Sequence, residues 1–178
     1  MDYSALNASI LPKVLAAVAL INNPEIDPEI RQLNQEILFR EVGATVYAKV
    51  FGMNAFDMDI SHITGPGIDD RYYGLAKVAS GSVSAGTAPV PDLVSNYLDS
   101  MAAKAQHDAM KLAKQSGKFP TVTRTPTGRE TCAWCDSKAG TYTNPSAEIF
   151  HRHRGCDCII VTKGYNSRNG TLNNYVAK

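Results

Sequence analysis

Ser116-Gly117-Lys118-Phe119-Pro120-Thr121-Val122-Thr123-Arg124-Thr125 divides this chain into two textures. Gly117 lies just past the end of a long run with helical periodicity, where a glycine most easily takes the left-handed conformation that closes a helix. Beyond it, Thr121, Val122, Thr123 and Thr125 are β-branched residues that favour a strand, and Pro126-Thr127-Gly128 predicts a turn. The fold class that follows is mainly α with a small C-terminal β subdomain, an α+β chain. The expected organisation is a helical domain over 1–118, a β subdomain over 119–163 and a polar tail over 164–178. That tail is rich in Asn and Gly and could instead supply a strand to a partner.

Working back from Gly117, Pro91 and Asp92 open a helix whose Leu93, Tyr97, Met101, Ala105, Met110 and Leu112 share a face. The small, polar segment Ser80–Pro89 predicts a flexible loop. Asp69 or Asp70 caps a short helix over 71–80, and 53–68 is irregular around Gly65-Pro66-Gly67. Asp27-Pro28-Glu29 is a helix start, with Asp as N-cap and Pro in the first turn. From there Ile30, Leu33, Ile37, Leu38, Val42, Thr45, Val46 and Val50 recur at three and four residues toward an end near Gly52. Residues 4–21 predict a first helix, with Ser4 or Asn7 as cap and Pro12 near its start. The apolar run 10–21 is interrupted by Pro12 and Lys13, and Asp2 stands where a signal peptide would be basic. A packing helix is expected, with no membrane association and synthesis in the cytoplasm.

Working forward, the chain reads Cys132-Ala-Trp-Cys135 and then His151-Arg-His153-Arg-Gly-Cys156-Asp-Cys158. Every cysteine of the protein lies in this segment. A C-x-x-C turn points two sulfurs at one ion, and His153-x-x-Cys156 returns two further donors of the types zinc prefers. Cys156 and Cys158 are two apart, so on a strand they face the same way. The candidate metal ligands are Cys132, Cys135, His153, Cys156 and Cys158, and the expected cofactor is Zn2+. The preferred set is Cys132, Cys135, His153 and one of Cys156 or Cys158, with His151 as an alternative to His153. Four thiolates around one divalent ion would leave a charge of about −2, which Arg152 and Arg154 could offset. With all four places filled by protein, the site is structural and not catalytic. A reduced cytoplasm favours metal over disulfides for the same cysteines.

The chain has 178 residues, 44% hydrophobic and 20% charged, with a net charge of +1. That composition supplies an ordinary core, so a metal is not required to hold the whole fold. The near-zero net charge gives no argument for nucleic acid, an anionic membrane or a steered substrate. The local basic group Arg124, Arg129, Arg152, Arg154, Lys163 and Arg168 is better explained as a balance for thiolate charge. His62 and His107 have no sequence partners and are expected at the surface or in local bonds. Asp57, Asp59, Asp69 and Asp70 are expected to be solvated loop and cap residues, and Trp134 to pack over the metal site.

The strand-like lead-in, the C-x-x-C, a downstream glycine and the ending His153-Arg-Gly-Cys156-Asp-Cys158 resemble the C-terminal domain of phage Mu F-like minor head proteins. That group ends H-P-x-C-R-C, and the likeness covers about residues 120–162. The resemblance implies a virion structural protein, a minor capsid or head-morphogenesis component and not an enzyme. Its partners would be phage capsid or portal proteins, or further copies of itself, with nucleic acid only as a weak contact inside the head. It implies that Cys132, Cys135, His153 and Cys156 or Cys158 are the metal site. The alternative is a zinc-knuckle nuclease of the HNH type acting on DNA, with His151 as general base and Asp157 or Glu148 as metal ligand. A small partner-binding module is a third class. A C-x-x-C redox switch lacks the βαβ setting that such chemistry uses.

Overall fold

Asp27 starts the longest helix as its sequence requires. Its carboxylate accepts the Glu29 amide at 2.9 Å and the Ile30 amide at 3.4 Å, with Pro28 in the first turn. The computed structural model describes the chain except for residues 1–2, 64, 67–69, 127–131, 152–157, 166–171 and 178. Among the described residues α1 spans Tyr3–Ile21, α2 Pro28–Asp57, α3 Asp70–Ala85 and α4 Val90–Gln115. There follow β1 Thr121–Thr125, a short α5 Ala133–Ser137, β2 Gly140–Tyr142, a 3-10 turn Ala147–Ile149, β3 Ile159–Tyr165 and β4 Leu172–Ala177. The protein is mainly helical with a small C-terminal antiparallel sheet, ordered β2-β1-β3-β4. No described helix is long and apolar enough to cross a membrane.

Several elements differ from expectation. Pro12 sits well inside α1, and Ser4 and Asn7 are helical residues, not caps. Helix α2 continues past Gly52 to Asp57. Its core seam is Gln35, Phe39, Gly43, Val46, Val50 and Asn54, while Ile30, Leu33 and Ile37 are 53, 56 and 46% exposed. Both stripes obey helical spacing but lie on nearly opposite faces, because two residues' offset is a rotation of about 200°. The segment expected as a loop from Ser80 is helix as far as Ala85. Its small residues form a contact face, with Ala76, Ala79, Ser80 and Val83 buried, and Gly86 ends the helix at φ 62°. The Ser84 hydroxyl donates to buried Gln35 at 2.9 Å, joining α3 to α2. Residues 164–178 are not simply a tail, since β3 reaches Tyr165 and β4 pairs with it as an edge strand. The predicted turn at 126–128 and the Asp69 cap lie partly or wholly outside the described residues.

Helix α4 is the hub. It packs against α1, α2 and α3, and its small residues Ala102, Ala105, Ala109 and Ala113 are buried. Tyr97 on α4 donates to the Phe39 carbonyl at 2.6 Å and meets the Phe39 ring edge-on at 5.0 Å. Gly43 makes room for it, because a Cβ there would stand 2.1 Å from the tyrosine oxygen. A second tie joins the Tyr47 hydroxyl to Asp108 at 2.8 Å, with Lys104 paired to the same carboxylate. Burial opposes ionisation of Asp108, but hydrogen bonds from His107, Lys104 and Tyr47 outweigh it and bring its pKa down to about 2.

The textures change at residue 118, but the core does not stop there. Val122, Ile149, Phe150 and Ile160 belong to the same hydrophobic cluster as the buried residues of the helices. Phe150 bridges the parts, its ring lying edge-to-face with His107 of α4 and the ring centres 6.1 Å apart.

Candidate metal centre

Strand β1 fixes the site because its side chains alternate. Val122 and Arg124 are buried, and Thr125 is exposed. Val122 pairs with Thr162 and Arg124 with Ile160, and both partners are buried. Cys158, two residues before Ile160, continues that inward face and is also buried. On the other side, Arg124 pairs with Gly140 of β2, whose φ of 141° favours glycine.

Between β1 and β2 the knuckle folds into α5. Cys132 is the N-cap of that short helix, and its sulfur accepts the Cys135 amide at 3.3 Å. This is the arrangement expected of a C-x-x-C turn whose backbone N–H groups stabilise thiolate charge. Cys132 is exposed and Cys135 buried, and no disulfide joins Cys132, Cys135 and Cys158. Among the described residues no three His, Cys, Asp or Glu side chains gather closely enough to hold an ion. His153 and Cys156 lie outside the described residues, as do Arg152 and Arg154. The three described cysteines suit zinc in chemistry, and the amide-to-sulfur bond at Cys132 suits a thiolate. A complete site needs a donor from the 152–157 segment.

Arg124 lies at the centre of the region and is 1% exposed. Nη1 donates to the Ile149 carbonyl at 2.8 Å and to the His151 carbonyl. Nη2 approaches the Cys135 sulfur at 3.9 Å, and the guanidinium carbon lies 4.9 Å from the centre of the Trp134 ring. Trp134 is 38% exposed, so it covers Arg124 rather than filling the core. The basic group around residues 124–168 predicts charge balance, whereas Arg124 lies inward and is multiply bonded.

The remaining candidates fall elsewhere. The His151 N–H donates to the Glu148 carbonyl at 3.2 Å. Partial burial lowers the His151 pKa, opposed by Glu148 and assisted by Arg124, which favours the neutral imidazole. Glu148 is held by Lys138 at 2.7 Å, which keeps its carboxyl ionised more readily than usual. Asp59 pairs with Lys118 at 2.9 Å and His62 is exposed, so neither contributes to the cysteine region. Asp157 lies outside the described residues.

Comparison with protein-family models, curated proteins and solved structures gives no match.

Proposed function

We propose that this chain is a non-enzymatic structural protein of a phage head, a minor capsid or head-morphogenesis component whose C-terminal sheet is fastened by one zinc ion. The family likeness rests on the C-x-x-C and the H-x-x-C-x-C ending. The observation that best supports the metal is the Cys132 sulfur capping α5 and accepting the Cys135 amide, with Cys135 and Cys158 both buried. Cys132, Cys135, His153 and one of Cys156 or Cys158 would hold the ion. Zinc would supply a tetrahedral cross-link between segments distant in sequence, with no open place for a substrate. Each cysteine would release its proton to solvent on binding.

In this reading the four helices present the assembly surface to capsid or portal proteins, and the exposed apolar stripe Ile30, Leu33 and Ile37 is available for such contacts. The decisive experiment is metal analysis of freshly purified protein together with sedimentation against phage heads. One tightly bound zinc per chain and co-sedimentation are expected. Magnesium- or manganese-dependent cleavage of plasmid DNA, lost in His151→Ala with zinc retained, would replace this function with the nuclease. The Lys138–Glu148 ion pair bears on that alternative, because it engages one of the two carboxylates offered as its metal ligand.

A further inference from the structure

We infer that Arg124 is the positioning residue of the cysteine cluster. Its buried guanidinium holds the C-x-x-C knuckle against the chain that leads to the second ligand pair, and so sets the affinity for metal. The inference rests on the zinc reading above.

The contacts of Arg124 come from two separate pieces of chain. Trp134 and Cys135 belong to the knuckle, whereas Ile149 and His151 flank the exit of the 3-10 turn. A single side chain on β1 therefore spans both halves of the motif. Ile149 and His151 immediately precede the segment that carries His153, Cys156 and Cys158. Holding those two carbonyls ties the start of that stretch of chain to the Cys132–Cys135 knuckle.

The chemistry calls for arginine in particular. A guanidinium is planar and presents several N–H groups in a fixed fork, so it can meet two carbonyls and a sulfur while its face rests on an indole. A lysine ammonium has no such plane, so it cannot keep the fork and the stack together. Arginine also keeps its charge when buried, which is costly unless negative charge is nearby. Carbonyls satisfy its donors without cancelling that charge. Of the groups just named, the Cys135 sulfur can carry a full negative charge, as it does when it binds a metal. Groups that orient ligands from behind in this way typically change metal affinity by about 10–100-fold when removed.

The test uses the full chain and the variants Arg124→Lys and Arg124→Met. Zinc affinity is read by competition with a chromophoric chelator. Ligand geometry is read from the thiolate-to-cobalt absorption band after Co2+ replaces zinc. Both variants should bind zinc about 10–100-fold more weakly, with an altered cobalt band, and lysine should not rescue. Wild-type affinity and an unchanged band in both variants would overturn the inference, and so would full rescue by lysine. If either variant fails to fold, it is refolded over rising zinc. Recovery at high zinc supports an affinity defect, since mass action overcomes it, and no recovery at any zinc level counts against the inference. A wild-type chain that takes up no zinc removes the metal reading and this inference together. A zinc-binding wild type with unchanged variants removes the inference alone.

Discussion

The helical part and the sheet share a core but are stabilised differently. In the helices, buried contacts are made by small residues and by tyrosines whose hydroxyls find specific acceptors, such as Tyr97 on the Phe39 carbonyl and Tyr47 on Asp108. In the sheet the inward face carries Val122, Ile160 and Thr162, but its centre is an arginine beside a cysteine. Long helices close most of their hydrogen bonds internally and need only a packed face. A short sheet has too little apolar area for that, so polar contacts such as those of Arg124 take a larger share. Damage to the helices should therefore weaken the whole protein by degrees, whereas damage to the cysteine region should release one part.

The largest effect should come from breaking the clamp. Cys132→Ser combined with Cys135→Ser should reduce bound zinc from about one per chain to none, because structural zinc supplies folding free energy directly. Proteolysis and amide exchange should show residues beyond 118 opening, while far-UV circular dichroism retains most of its helical signal. Undiminished zinc in the double mutant would refute the ligand assignment. Complete loss of helix would show instead that the two regions cannot be separated.

Phe150→Ala attacks the seam between the regions. Phe150 is fully buried and its ring meets His107 of α4, so truncation should cost about 3–5 kcal/mol in chemical denaturation. The loss should appear equally in probes of the helices and of the sheet if the core is continuous. A loss confined to sheet probes would divide the protein at residue 118 after all.

Gly43→Ala tests the helical side alone. The new Cβ would stand 2.1 Å from the Tyr97 oxygen, so the tyrosine must move and give up its bond to Phe39. Overpacking of this kind costs about 1–3 kcal/mol. The zinc content should not change, which is the contrast with the cysteine variants.

Those outcomes also bear on how far the sequence could be followed. The start of α2 was legible because Asp27-Pro28-Glu29 satisfies the helix's first amides by itself. The end of α3 was not, because a run of Ser, Gly and Ala suits both a loop and a helix that must lie close to its neighbours. The knuckle was legible because C-x-x-C is a local geometry, and Cys132 caps α5 within four residues. Arg124 was missed although a signal was present: strand alternation places it on the same face as Val122, and a charge on the inward face of a strand is unusual enough to ask what it holds.

Asp108 gives a pH dependence that belongs to the helical side. Its folded pKa is lowered to about 2, below the ordinary value for a free aspartate, so it contributes stability that is fully present above about pH 4. That contribution should fade as pH falls through about 2, as the carboxylate gains a proton and its bonds from Tyr47 and Lys104 weaken. Asp108→Asn should cost about 1–3 kcal/mol at neutral pH and flatten the acid limb of the stability curve measured in urea. An unchanged acid limb would show that other carboxylates govern acid unfolding.

The smallest effect should come from the stripe that periodicity alone would have placed in the core. Leu33 is 56% exposed, and its neighbours on that face, Ile30 and Ile37, are exposed as well. Leu33→Gln should change the stability of the isolated protein by less than about 0.5 kcal/mol. Val46→Ala, on the seam that is fully buried, should cost several times as much, since truncation there leaves a cavity. The pair of measurements separates two stripes that sequence spacing treats alike. If Leu33→Gln proved as costly as Val46→Ala, the face would be covered in solution, and the mass of the protein would show whether a second copy covers it. If it is neutral in the isolated protein yet reduces co-sedimentation with phage heads, the stripe serves assembly and not folding.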